Sequence, residues 1–205
     1  MTGPHVAVVL AAGGSTRLGR PKQLLLRADE PLVHRAARLA AATAPRRLFV
    51  VLGADSAAVA QALHGLPATR VDNPHWQAGL ATSLQCVAPH LLGHAGPVLV
   101  IGCDQPALEV EHLHALLEGA QASPSGCAAC LHDGLPGIPA VVPGGWFDGD
   151  GNLATSGDRG FGARLRALPA ASRFDLDVPG LALDVDTPHD LDTAVARGWL
   201  DPPRA

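Results

Sequence analysis

Val6-Ala7-Val8-Val9-Leu10, running straight into Ala11-Ala12-Gly13-Gly14-Ser15-Thr16-Arg17-Leu18-Gly19-Arg20-Pro21-Lys22, decides how the rest of the chain is read. The first five residues form a short apolar run bounded by turn residues, as in a parallel strand buried on both faces. The residues after it are small enough for backbone N–H groups to approach a bound anion, and Arg17 and Lys22 add positive charge. In an open α/β sheet, ligands bind beyond the carboxyl ends of the strands, which is where this loop would lie. The spacing of Gly14 and Gly19 imitates the start of a P-loop. However, Arg20 stands where that motif needs Lys, and neither Ser nor Thr follows Lys22. A GxGxxG dinucleotide pattern is also absent.

Outward from this stretch, apolar periodicity and turn residues predict the remaining elements. A helix fits 31–43, with Pro31 near its first turn. A strand follows at Arg47–Leu52, then a helix over 55–64 with Asp55 as its expected cap. A brief strand at Thr69–Asp72 leads to a helix over 80–92. A second fully apolar strand at 97–101 ends in Gly102-Cys103-Asp104, and a helix over 109–122 follows with two Glu in its first turn. The order predicts an α/β fold with a doubly wound, mostly parallel sheet and right-handed crossovers. The last third reads as a small antiparallel element. Strands at 127–131 and 138–142 are joined by a Gly/Pro-rich turn. Residues 143–160 read as a long functional loop. A final strand is expected at 181–186, and Thr187-Pro188 opens a terminal helix. With no repeat and no linker, residues 1–205 are expected to form one domain.

Composition narrows the function. In 205 residues, 47% hydrophobic and 17% charged, there is enough apolar chain for a core and too little charge for a disordered polyelectrolyte. A net charge of −4, with aromatics at 3% and no Tyr, argues against nucleic acid as a partner. No apolar run approaches the roughly 20 residues of a membrane span. Met1-Thr2-Gly3-Pro4-His5 lacks a basic leader, so a cytoplasmic location is expected. Cys86 and Cys103 read as core residues. Cys127 and Cys130 lie on an expected strand, which sends their thiols to opposite faces and makes core a better reading than zinc. Lys22 is the one lysine among 15 Lys and Arg residues, which suggests a place where a compact point charge is needed.

Two acidic groups lie where a ligand would. Asp104 follows an apolar strand and precedes Gln105-Pro106. It can hold Mg²⁺, which takes one or two carboxylates plus substrate phosphates, or it can serve as a turn residue. In Leu183-Asp184-Val185-Asp186-Thr187-Pro188, alternation puts Asp184 and Asp186 on one face. Asp186 can bind metal, cap the helix that Pro188 begins, or do both. His112 and His114 do not share a helix face, so a His metal site is not expected. There is no HExxH, GxSxG or Cys–His pairing.

The segment 10–25 resembles the MobA-like nucleotidyltransferase family, in its molybdenum cofactor cytidylyltransferase (MocA-like) branch. The resemblance continues in family order through 73–84 (Asn73-Pro74-His75-Trp76 onward), Cys103-Asp104-Gln105-Pro106, Gly137-Ile138-Pro139-Ala140, Gly157-Asp158-Arg159-Gly160 and Asp184-Val185-Asp186-Thr187-Pro188. It implies a Rossmann-like sheet of the nucleotide-diphospho-sugar transferase type. It places Leu10, Ala11, Ala12, Gly13 and Gly14 around the triphosphate, with Arg17 and Lys22 as the catalytic cations. Asn73, Gly79 and Ser83 would lie against the base and ribose. Asp104 and Asp186 would hold Mg²⁺, with Asp104 also counted in the nucleotide site. Gly157 and Asp158 would face the acceptor. The implied reaction moves CMP from CTP to molybdopterin and releases pyrophosphate, for delivery to a client molybdenum hydroxylase. The alternatives are another acceptor, such as a sugar phosphate, or a non-catalytic carrier of the cofactor. One departure stands at the acceptor end, where Phe161-Gly162 precede Ala163-Arg164 in place of the family's Gly-Asp-x-Gly-Ala-Arg.

Overall fold

The computed structural model describes residues 4–148 and 161–203. Nine strands and six helices are present among them. The strands are β1 (Val6–Ala11), β2 (Leu26–Arg27), β3 (Glu30–Pro31), β4 (Arg47–Leu52), β5 (Thr69–Asp72), β6 (Pro97–Gly102), β7 (Ala128–His132), β8 (Leu135–Pro143) and β9 (Phe174–Leu176). The helices are α1 (Leu32–Ala42), α2 (Ser56–Ala62), α3 (Leu80–Val87), α4 (Val110–Ala122), α5 (Gly162–Ala167) and α6 (Pro188–Ala196). Seven strands form one sheet in the order β5-β4-β1-β6-β8-β7-β9, and β2 and β3 make a separate short pair.

β1 is an interior strand, and all six of its residues are buried because partners flank it and helices cover both faces. It pairs in parallel with β4 and β6, and β4 pairs in parallel with β5. Alternate residues feed two cores. Ala7, Val9 and Ala11 face α1, α2 and α4, whereas Val6, Val8 and Leu10 face α3, α5 and the aromatic residues Trp146, Phe147 and Phe161. Helices on both faces make the sheet doubly wound, as expected. The antiparallel element is also present: β8 runs against β6 and β7. Asp133 and Gly134 turn the β7–β8 hairpin with φ of 50° and 78°, the paired positive values that a type I′ turn requires. Cys127 and Cys130 join opposite cores, so their thiols point away from each other and cannot share a metal. Burial pushes the Cys130 thiol up to about 12.

Four expectations need correction. Residues 181–186 are not a strand: Pro179–Ala182 is a 3₁₀ turn, and the following residues run irregularly. Their apolar–acidic alternation arises because Val185 drops into a third cluster with Leu191 and Ala194 of α6, leaving the flanking aspartates outside it. The seventh strand is instead the three-residue β9, parallel to β7 and too short to register in the sequence pattern. The helix expected over 80–92 stops at Val87 and tightens into a 3₁₀ turn at Ala88–His90, where Pro89 cannot donate to an α-helical ladder. Caps also differ. Asp55 precedes α2 in a left-handed conformation with no side-chain cap bond. At α6 the cap is Thr187, in a reciprocal capping box with Asp190, so Asp186 is not used for capping. Among the described residues no helix is long and apolar enough to cross a membrane.

Candidate active site

The strand order reverses between β1 and β6: successive crossovers lead from β1 outward to β4 and β5, then return to β6 on the other side. Crevices at such switch points are the ligand sites of open α/β sheets. Here a cleft of about 580 Å³ opens beyond the ends of both strands. One wall is the loop after β1, with Ala12, Gly13, Gly14 and Arg17; the floor is Leu10 and Gly102. Trp76 packs against Gly14, and Gly79, Leu80 and Ser83, from the start of α3 and the turn before it, complete the lining.

Charge gathers at the end of the cleft nearest α6. Lys22 Nζ donates to Asp104 Oδ2 and to Asp186 Oδ1, each at 2.7 Å, and Arg17 Nη2 donates to Asp186 Oδ2 at 2.7 Å. Burial alone would lower the Lys22 pKa; the charge and hydrogen bonds of Asp104 and Asp186 outweigh it and hold the ammonium above its usual range. Burial likewise opposes ionisation of Asp186, but Lys22, and after it Arg17, keep its carboxyl below the ordinary value. Behind them lies Asp184, pushed up to about 7 by burial first and by the charge of Asp104 second, with one buried oxygen lacking a hydrogen-bond partner.

Local structure explains how residues so distant in sequence meet. The backbone N–H of Val185 donates to Asp104 O at 2.9 Å, which binds the segment before α6 to the end of β6. Leu18 packs with Val185 and Leu191, so the loop after β1 is pinned to the same segment. Gly102 is required by close approach: a Cβ there would lie 2.5 Å from Asp104 Oδ1. Close approach also explains Gly14, where a Cβ would lie 2.4 Å from the Trp76 ring.

Of the residues singled out in the sequence, Leu10, Ala12, Gly13, Gly14, Arg17, Lys22, Gly79, Ser83, Asp104 and Asp186 all line this cleft. Ala11 and Asn73 stand behind it. Asn73 is buried, its amide donating to Thr82 and Ser83 hydroxyls at 2.8 and 3.0 Å and its Oδ1 accepting from His75 N–H, so it holds the turn in place from behind. Gly157 and Asp158 lie outside the described residues. Sequence reasoning assigned no role to Gln23, Trp76 or Gly102. Gln23 and Trp76 carried a usable signal, since each lies within a segment that resembles the family. Gly102 carried none, because its need for a missing Cβ depends on where Asp104 turns.

A glycine loop with two cations, faced by two carboxylates at a sheet switch point, is a site for polyphosphate chemistry. Residues 7–171 match the MobA-like NTP transferase domain, and the chain belongs to that family. It is 32% identical over 189 residues to nicotine blue oxidoreductase of Paenarthrobacter nicotinovorans, covering 88% of this chain and 91% of that one. It is 32% identical over 147 residues to the bifunctional protein GlmU of Neisseria gonorrhoeae, of which it spans only 32%. The crystal structure of the Rv0371c homologue from Mycobacterium sp. strain JC1 superposes with a TM-score of 0.74 at 28% identity, over 95% of this chain and 96% of that one. A nucleotidyl transferase from Methanothermobacter, at 19% identity and a TM-score of 0.76 over 96% and 98% of the two chains, shares the fold.

Proposed function

We propose that this chain transfers a nucleotidyl group from a nucleoside triphosphate, CTP in the preferred reading, to a phosphate-bearing acceptor, molybdopterin, with release of pyrophosphate. The observation that carries it is the Lys22 ammonium held by Asp104 and Asp186 at the mouth of the glycine loop. A phosphate oxygen of the acceptor attacks the α-phosphorus; the new P–O bond forms as the bond to pyrophosphate breaks. The attacking oxygen is already anionic, so no general base is needed, and positioning with charge neutralisation supplies the catalysis. Lys22 and Arg17 face the growing negative charge on the leaving pyrophosphate. Ala12, Gly13 and Gly14 let the phosphates lie against the backbone, while Gly79 and Ser83 form the wall on which base and ribose rest.

The two carboxylates suit a divalent ion. They are hard oxygen donors already arranged around one cation, and Mg²⁺ asks for no more than one or two of them with substrate phosphates. Asp104 and Asp186 would hold it, and the ion would neutralise phosphate charge during transfer. A manganese complex of the Mycobacterium tuberculosis Rv0371c protein, 25% identical to this chain, supports that reading.

Molybdopterin as acceptor follows from the motifs shared with the cytidylyltransferase branch, and the GlmU relatives keep a sugar phosphate as the rival. The name of the Paenarthrobacter relative suggests redox chemistry; the glycine loop with two cations, faced by two carboxylates, favours group transfer from a polyphosphate instead. Radiometric pyrophosphate release from CTP, GTP or ATP with molybdopterin or a sugar phosphate tests the proposal. Release only with CTP and molybdopterin is expected. Release with a sugar phosphate alone would move the acceptor, and no release with any pair would overturn transferase activity in favour of a carrier.

A further inference from the structure

In the loop after β1 most of the carbonyls are occupied by protein donors while a run of N–H groups is not, and one side chain holds two of those carbonyls. Gln23 is 1% exposed, and its Nε2 donates to Ala11 O at 2.9 Å and to Gly13 O at 2.7 Å. Ala12 O, between them, accepts from Ala54 N–H at 3.1 Å, and Ser15 O accepts from Leu18 and Gly19 N–H. The carbonyls of Ala11, Ala12, Gly13 and Ser15 are thereby occupied. Among the described residues, Gly13, Gly14, Ser15 and Thr16 N–H have no protein acceptor. Successive unpaired N–H groups beside a cleft make an anion-binding concavity, whereas a carbonyl turned into it would repel phosphate.

The amide is itself oriented. Ser15 Oγ donates to Gln23 Oε1 at 3.4 Å and accepts from Lys22 N–H at 3.1 Å. The Oε1 end is thus tied to the hydroxyl, which leaves the NH₂ end for the two carbonyls. Because Gln23 follows Lys22 directly, the same anchor sets where the lysine leaves the backbone on its way to Asp104 and Asp186.

We infer that Gln23 is a positioning residue for polyphosphate binding: by holding the Ala11 and Gly13 carbonyls from behind, it keeps the loop's N–H groups turned toward the phosphates, with Ser15 fixing its amide. This inference rests on the triphosphate reading of the cleft.

Isothermal titration with inorganic tripolyphosphate, and with CTP plus a divalent ion, tests it below the melting temperature of each variant. Gln23→Met removes both donors at equal length. Gln23→Glu keeps the shape and sets an acceptor against two carbonyls, and it serves where the Met variant does not fold. Each is expected to weaken both ligands by about ten-fold or more, roughly one net hydrogen bond and the disorder that follows. Ser15→Ala, which frees the amide but keeps its donors, should cost a few-fold. Thr43→Val is the control for stability alone. It breaks a buried contact with His5 at the far end of β1 and should lower melting while leaving both affinities within two-fold. A Gln23 variant that binds tripolyphosphate and CTP as wild type does, or a control that loses affinity in step with its melting temperature, overturns the inference. A wild type that binds neither ligand overturns the triphosphate reading as well; wild-type binding with silent Gln23 variants overturns only the role of Gln23.

Discussion

Lys22 stands under two opposing influences, and the balance shows what the position requires. Burial disfavours its charge; two carboxylates at 2.7 Å more than restore it. An ammonium can serve both because its donors surround a compact centre, whereas a planar guanidinium presents a wider, fixed fork. Lys22→Ala is expected to slow single-turnover pyrophosphate release by roughly 10²–10³-fold, as loss of one preorganised donor does elsewhere. Lys22→Arg should recover little of it. Equal rates in all three proteins would remove Lys22 from the chemistry. The same reasoning extends to a residue with no chemistry of its own. Gly102→Ala places a Cβ where Asp104 Oδ1 lies, so it should depress turnover almost as far as Asp104→Asn, with the circular dichroism spectrum unchanged. An alanine variant with normal turnover would mean that Asp104 can work from another rotamer.

Individual elements also make testable claims. The start of α1 is held by Glu30, which accepts from Arg38 Nε and Nη2 at 2.7 Å and pairs with His34 at 2.8 Å. The Arg38 hydrogen bonds, against an opposing burial effect and with help from His34, pull the Glu30 carboxyl from 4.5 to about 2. A depressed acid stabilises the fold above its unfolded pKa and loses that contribution as pH falls through its folded one. The window is therefore about pH 4.5 down to about 2. Arg38 is largely in solvent, so the contribution at neutral pH is below about 1 kcal/mol. Glu30→Gln should lower the urea midpoint slightly at pH 7, with most of that deficit gone as pH approaches about 2; an equal deficit at both would assign the loss to packing. On β7, Cys130→Ala should cost on the order of 1 kcal/mol through lost packing, and purified protein should carry no zinc bound by this pair. Stoichiometric zinc lost with that variant would contradict the opposed thiols.

At the scale of the whole molecule, a ligand that binds only the folded state raises its melting temperature by mass action. CTP with a divalent ion should stabilise the chain more than GTP or ATP, and omission of the ion should abolish most of the shift, because the phosphates then meet Asp104 and Asp186 with only Lys22 and Arg17 to offset them. Equal shifts for all three nucleotides would remove the cytidylyl preference while leaving the triphosphate site.

What could be read from sequence was local or periodic. β1, β4 and β6 are runs of apolar residues too short for helices, and Pro188 marks the first turn of a helix, so these elements were legible within a few neighbours. The loop after β1 and its two cations were legible for the same reason, since small residues and charges next to a strand act through their own backbone. Tertiary structure alone decided the rest. β9 is three residues long and exists because β7 offers an edge. Residues 181–186 alternate like a strand, yet Val185 is buried in a cluster with Leu191 and Ala194 of α6 rather than in the sheet. Asn73 moved from the wall to the support behind it, because its amide is consumed by Thr82, Ser83 and His75. The joining of Lys22 to Asp104 and Asp186, 82 and 164 residues away, depends on packing between segments that share no local signal. Side-chain pattern specifies what each short segment can bury; which charges then meet is set by the contacts those buried faces find in three dimensions.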